Sequence, residues 1–250
     1  MRLSTCSTLP PLLFGAVLGL LSVALSHADD QIVLKDGRTQ TTRIMGTTAT
    51  SVLVQVGSGT AGIPLASITS VTMTPPADFT TGLQAYASKD YPTAVSTLTA
   101  ITGKYKGLPA PWVQQGMTTI GDAYLAMNNF TAAQTAYAAL KAAYPGKADL
   151  LVNVGLARID FARKDYDAAR QKLQPIADAA LKQKMAPKEY ATAYSQTFCL
   201  LGQIEETAGN NSAALEDYLR TVTLYYKDDV AVTTAQSHAD ALKAKNVVVP

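Results

Sequence analysis

The chain has 250 residues, 48% of them hydrophobic and 16% charged, with a formal net charge of +2. Of its 21 basic residues one, Arg2, lies in the leader described next, which leaves 20 basic against 19 acidic residues in the remainder. This balance predicts no electrostatic attraction to nucleic acid or to an anionic membrane. One cysteine, Cys199, and one histidine, His238, follow the leader, which excludes an internal disulfide and any zinc site that needs two histidines.

Residues 1–28 are typical of a secretory signal peptide. Arg2 provides a positive start, and the segment from Leu12 to Leu25 is an apolar run of 14 residues. Ser26-His27-Ala28 places small residues where a signal peptidase reads them. Fourteen apolar residues are too few to cross a bilayer comfortably, and a retained anchor is the alternative. We therefore expect cleavage after Ala28 and an exported, periplasmic chain without an integral membrane span.

Residues 29–73 alternate between apolar and polar side chains in short runs, as β-strands do, and predict about five short strands. Asp36-Gly37 signals a hairpin turn, since glycine accepts a positive φ. A sheet this small would leave open edges, which favours a closed, twisted barrel. The pattern LKDGR, SVLVQV and GIPLASITSV resembles an SH3-like or Sm-like barrel. A β-meander that covers the first helix is the alternative, and the proline-rich residues 74–77 form a short, stiff linker.

The stretch from Gly121 to Pro145 predicts two helices joined by a tight turn. The first ends at Asn128-Asn129, because asparagine competes for backbone hydrogen bonds and tolerates a left-handed conformation. The second runs from about Thr131 to Ala143 and places apolar residues at helical spacing before Pro145 stops it. Gly121 is small enough to let the two helices approach closely.

The same pattern occurs four times, each time with a buried-type alanine early in the second helix. These alanines are Ala94, Ala133, Ala169 and Ala214, at spacings of 39, 36 and 45 residues. Three of the four copies keep a glycine in the first helix, and the third has Ala157 in its place. Together with the aromatic residues and the Asn/Asp turn, this pattern resembles the tetratricopeptide repeat. The resemblance implies a mainly α fold: a right-handed solenoid of about four helical hairpins over residues 78–228. A capping helix and tail over 229–250 follow, and we expect Pro175 to kink or end its helix and the final valines to be loose.

In this family the first helix of each hairpin lines a concave, protein-binding groove. Arg158 and Phe161 would form its central anchor, with Asp122 and Glu206 placing charge on either side. Since Arg158 is the one basic residue among the groove positions, we do not expect the family's clamp for a C-terminal carboxylate. The positions expected to line the groove are Tyr86, Gln115, Thr118, Asp122, Arg158, Phe161, Gln196, Cys199, Gln203 and Glu206.

No motif for catalysis, cofactor binding or metal binding emerges from the sequence. The GSGTAG segment at 57–62 lacks the lysine and the helix of a phosphate-binding loop, and no serine elbow is present. We therefore predict a non-enzymatic adaptor of the bacterial cell envelope that binds a protein or peptide segment, and no nucleic acid. The alternative is an accessory subunit of a cell-wall or envelope enzyme with a ligand site in the β module. Residues 31–73 argue against that alternative, because they contain no Tyr, Trp, Phe or Glu and a single Asp.

Overall fold

The computed structural model describes residues 30–146, 148–183, 185, 187–188 and 190–249. The predicted signal peptide and its cleavage site lie outside these residues. Within them the chain is mainly helical, with a small antiparallel β region before the helices, which confirms the coarse fold class expected from the sequence.

The β region holds six strands in two three-stranded antiparallel sheets, ordered β2-β1-β6 and β3-β4-β5. The prediction of about five strands was short by one, because β2 has the sequence TQTT and no apolar residue to reveal it. The strands are β1 (Asp30–Leu34), β2 (Thr39–Thr42), β3 (Ile44–Thr47), β4 (Ser51–Val56), β5 (Gly59–Pro64) and β6 (Ile68–Thr72).

Alternating side chains of these strands form the core of the β region. Ile32 and Val52 are fully buried, and Ile44 and Val54 are nearly so. The two sheets are joined by Asp30, whose carboxylate accepts a 2.8 Å hydrogen bond from the backbone N–H of Ile44. The β region therefore has an apolar interior and a polar link between its sheets.

The helices form four antiparallel hairpins and one further helix. Within each hairpin the two helices pack against each other along their length. Their bounds are α1 (Ala77–Ala87), α2 (Tyr91–Lys104), α3 (Pro111–Ala126), α4 (Phe130–Ala143), α5 (Asp149–Ala162), α6 (Tyr166–Leu181), α7 (Ala191–Thr207), α8 (Asn211–Thr223) and α9 (Asp229–Ala244).

One turn geometry recurs in all four hairpins. A residue with a positive φ directly precedes the N-cap of the second helix in each of them: Lys89, Asn128, Lys164 and Gly209. The N-caps that follow are Asp90, Asn129, Asp165 and Asn210. In the first three, the side chain of the N-cap accepts a hydrogen bond from the backbone N–H of the third residue after it. Such caps satisfy otherwise unpaired N–H groups and define where a helix begins.

Small residues of the first helices contact large residues of the second helices. A Cβ added to Gly82 would lie 2.7 Å from the Leu98 side chain, and one added to Gly121 or Gly202 would lie 2.6 Å from the ring of Tyr137 or Tyr218. The four alanines that mark the repeat are all fully buried: Ala94, Ala133, Ala169 and Ala214. The residues that repeat in the sequence therefore make equivalent packing contacts in successive hairpins.

The hairpins stack in sequence order. The second helix of each hairpin packs on the first helix of the next element, as α2 does on α3 and α8 on α9. The first helices also pack on one another, with α1 against α3, α3 against α5, α5 against α7 and α7 against α9. This stacking places the odd-numbered helices side by side along one surface of the molecule.

The structure corrects two local expectations for the helical part. Of the two outcomes expected at Pro175, a kink or an end of the helix, the end does not occur: α6 continues to Leu181, and Pro175 lies on its exposed side. At an exposed position water can take the place of the hydrogen bond that proline removes. Val247 and Val249, which we expected to be loose, are half-buried against the cluster formed by α7, α8 and α9, while Val248 is exposed.

The β region rests on the end of the first hairpin. The hydroxyl of Thr47 donates a 2.8 Å hydrogen bond to the carbonyl of Lys106. Gly46 lies so close to the end of α2 that an added Cβ would be 3.0 Å from the carbonyl oxygen of Lys104. The apolar core of the strands is continuous with that of the helices through α1 to α5. The β region is thus held by tertiary contacts in addition to the short connection to α1.

Candidate binding groove

Six of the residues expected to line a groove surround one cavity of about 370 Å³ on the surface formed by the first helices. They come from four different hairpins, so the stacking of the odd-numbered helices brings them together. The six are Tyr86, Asp122, Arg158, Gln196, Cys199 and Gln203.

The centre of this groove is an ion pair between Arg158 on α5 and Asp122 on α3. The same oxygen of Asp122 accepts a 2.6 Å hydrogen bond from the hydroxyl of Tyr137 on α4. The side chains of Asp122 and Arg158 are only 15% and 30% exposed, so solvent screens the pair incompletely. Tyr86 on α1 lies close enough to interact with both charges, which links three successive hairpins.

The charges of this network perturb the ionisable groups around it. The carboxylate of Asp122 raises the pKa of Arg158 and outweighs the opposing effect of burial. Burial, followed by the charge of Asp122, raises the pKa of both Tyr86 and Tyr137. The guanidinium therefore stays charged and both phenols stay neutral across the physiological pH range.

The last helix, α9, contributes the other wall of the cavity, which the sequence did not predict. Asp228, the N-cap of α9, accepts hydrogen bonds from the Gln196 side chain at 2.7 Å and from the backbone N–H of Ala231 at 2.8 Å. Val230, Ala231 and Thr234 line the cavity beside it. From the sequence we expected α9 only to cover the end of the solenoid. The acidic residues at its start, Asp228 and Asp229, are the feature of the sequence that could have indicated a polar contact there.

Cys199 is nearly inaccessible at the cavity wall, with 6% of its surface exposed. Burial, and next the nearby charge of Asp228, raises the pKa of its thiol to about 12. A thiol with so high a pKa is almost entirely protonated at neutral pH and is a poor nucleophile. Cys199 therefore acts as a small wall residue, as the sequence suggested.

The remaining four predicted residues lie outside the lining of this cavity. Gln115 is exposed on α3, and the hydroxyl of Thr118 donates to the carbonyl of Gln114 in its own helix. Phe161 packs edge-on against Tyr166, with ring centres 5.4 Å apart, and contacts the core between hairpins. The proposed pairing of Arg158 with Phe161 as one anchor is therefore not formed at this cavity.

Glu206, the fourth, belongs to a separate polar cluster on α7, α8 and α9. It accepts a 2.7 Å hydrogen bond from the Tyr218 hydroxyl and lies 2.7 Å from Nδ1 of His238. Burial favours protonation of Glu206, but the hydrogen bonds from Tyr218 and His238 outweigh it and lower its pKa. His238 thus ties α9 to α7, a contact that the sequence reading missed.

The β region has its own shallow cavity of about 510 Å³, lined in part by Lys35, Asp36, Arg38 and Gln40. Asp36, the one acid there, forms an ion pair with Arg38 at 2.7 Å, and both side chains are more than half exposed. An exposed pair of this kind contributes little to stability and leaves no unpaired carboxylate for acid–base chemistry.

In the part of the chain that the structure describes, no cluster of three or more His, Cys, Asp or Glu residues could hold a metal ion. Among the same residues, no helix is both long and apolar enough to cross a membrane. No protein family, curated protein or solved structure matches this chain.

Proposed function

We propose that this protein is a non-enzymatic adaptor that binds a polypeptide segment in the groove formed by its first helices. The observation that carries this proposal is the assembly of six side chains from four hairpins and of the start of α9 around one polar cavity. A surface built from successive repeats offers an extended contact to a partner that is itself extended.

The helical part would be a tetratricopeptide-type, right-handed solenoid, and the β region an SH3-like or Sm-like module. The recurring turn, the buried alanines and the glycine–tyrosine contacts support the first part of this proposal. The pattern of residues 1–28 supports export to the periplasm, where the partner would be a protein of the cell envelope. Sequencing the N-terminus of protein purified from the envelope tests this placement, and an intact Met1 would contradict it.

Site-specific photo-crosslinking tests the adaptor role. A photoreactive amino acid at Gln203 inside the groove should give discrete protein adducts in intact cells. The matched control position is Gln134, an exposed glutamine of α4 that does not line the cavity. Adducts at both positions in equal yield, or at neither, would contradict binding in the groove.

A further inference from the structure

We infer that the groove holds the interior of an extended polypeptide through its backbone amides, and does not hold a C-terminal carboxylate. This inference rests on the proposed function and specifies its ligand. Each charged side chain at the cavity has a hydrogen-bond partner within the protein, whereas several uncharged donors and acceptors there have none.

The three charged side chains at the cavity already have partners within the protein. Asp122 accepts from Tyr137 and from Arg158, and Asp228 accepts from Gln196 and from the N–H of Ala231. A ligand carboxylate that approached Arg158 would meet the carboxylate of Asp122 beside it. A ligand ammonium group that approached Asp122 would meet Arg158 in the same way. A ligand charge can match neither Arg158 nor Asp122 without breaking their ion pair, which is costly where the groups are shielded from water. Asp228 accepts from neutral groups only, so the formal charges of the cavity lining are one positive and two negative, which disfavours a ligand carboxylate.

Uncharged donors and acceptors remain available for a ligand. Among the described residues neither the amide of Gln203 nor the hydroxyl of Thr234 has a hydrogen-bond partner, and Gln196 uses only its NH₂ group. The guanidinium of Arg158 has five N–H donors, more than Asp122 and Tyr86 occupy. The cavity therefore offers both free donors and free acceptors to a ligand.

A polypeptide backbone presents the complementary set, because each residue other than proline carries one N–H donor and one C=O acceptor. A glutamine amide can pair with both groups of a peptide unit at once. A C-terminal carboxylate instead brings a further negative charge, and Arg158, the cation that lines the cavity, is already paired with Asp122. The free donors and acceptors of the cavity therefore match the interior of a polypeptide better than its C-terminal end.

The wall formed by α7 and α9 adds an apolar contact for the same ligand. Leu200 and Ala231 are almost buried, but Val230 is 76% exposed at the edge of the cavity. An exposed valine beside a polar cleft can pack against an apolar side chain of the bound segment. The expected ligand is an extended stretch with at least one apolar residue and no carboxylate at the groove.

Two displayed libraries of random peptides test this inference on the purified full chain. In one library each peptide is flanked on both sides by a fixed linker, and in the other it ends in a free carboxylate. We expect binders from the flanked library and none from the library with a free carboxylate. Methylation of single backbone nitrogens in a resynthesised binder should abolish binding at the residues that contact Gln203.

A pair of variants links the result to the groove. Gln203→Ala should weaken the selected binder about tenfold, as expected for two lost hydrogen bonds. Gln134→Ala should leave the affinity unchanged, and thermal melting should show both variants folded. Binders that come only from the free-carboxylate library and depend on Gln203 would overturn this inference and leave the proposed function standing. If neither library yields a binder that depends on Gln203, the proposed function fails as well.

Discussion

The ring of Tyr137 on α4 lies directly over Gly155 on α5, where a Cβ atom would overlap it. The same ring fills the space above Gly121 on α3, so one tyrosine is enclosed between the first helices of two successive hairpins. Its hydroxyl then reaches Asp122, the acid that pairs with Arg158. The packing between hairpins and the polar centre of the groove therefore depend on the same side chain.

Gly155→Ala should destabilise the protein although alanine is the better helix former. The added methyl group would overlap a fully buried ring, and overpacking of this kind costs about 1–3 kcal/mol. Gly103→Ala is the matched control, because no atom lies within 4 Å of a Cβ at that helical position. Gly103→Ala should stabilise by up to ~1 kcal/mol. Urea unfolding measures both changes, and equal midpoints would contradict the contact with Tyr137.

Asp122→Ala should remove the shared partner of Tyr137 and Arg158. We expect a loss of about 1–3 kcal/mol, because a buried hydroxyl and a shielded guanidinium are left unpaired. In a Tyr137→Phe background the same substitution should cost less, by about 0.5–1.5 kcal/mol, since the two residues share a hydrogen bond. A double-mutant cycle from chemical unfolding measures this difference. Strictly additive losses would show that the two side chains do not interact.

Asp217→Asn should stabilise the protein at neutral pH more than in acid. Burial raises the pKa of Asp217 from 3.8 to about 6; Arg220 opposes this shift, and the charges of Glu216 and Glu205 add to it. Between these values the folded state binds more protons than the unfolded state, so stability is lost as pH rises through about 6.

The asparagine variant lacks this loss and can still accept a hydrogen bond from Arg220. Its advantage should grow from near zero below about pH 4 to the order of 1–3 kcal/mol above about pH 7. Asp178→Asn, on the exposed side of α6, controls for the removal of one surface carboxylate. Thermal melts over this pH range measure the effect. A constant advantage at every pH would contradict the assignment to Asp217.

Phe161→Ala and Gln203→Ala should separate stability from binding. Phe161 packs against Tyr166 and the core, so its truncation should lower stability by about 1–3 kcal/mol and leave the groove able to bind. Among the described residues the side-chain amide of Gln203 has no hydrogen-bond partner, so its truncation should leave the melting temperature unchanged and weaken binding. Circular dichroism melting and the affinity for a selected peptide give the two readouts. If Phe161→Ala abolishes binding in a stably folded protein, the groove extends further along α5 than its cavity indicates.

The amino-acid sequence by itself determined the helical hairpins and their turns. N-cap residues, helical periodicity and small residues at helix contacts act over a few neighbouring positions, so a linear pattern carries them. The same local logic failed for β2, whose polar side chains leave no alternation to read. It also did not show that α6 continues beyond Pro175, which lies on the exposed side of the helix.

Only the tertiary structure decided which groove residues are engaged and which are free. Arg158 finds its partner Asp122 at a separation of 36 residues, Gln196 finds Asp228 at 32, and Glu206 finds His238 at 32. These pairings depend on how successive hairpins stack and on where α9 lies against α7, neither of which local propensity encodes. A long-range contact is set by the packing of buried surfaces, and that packing is a property of the whole fold.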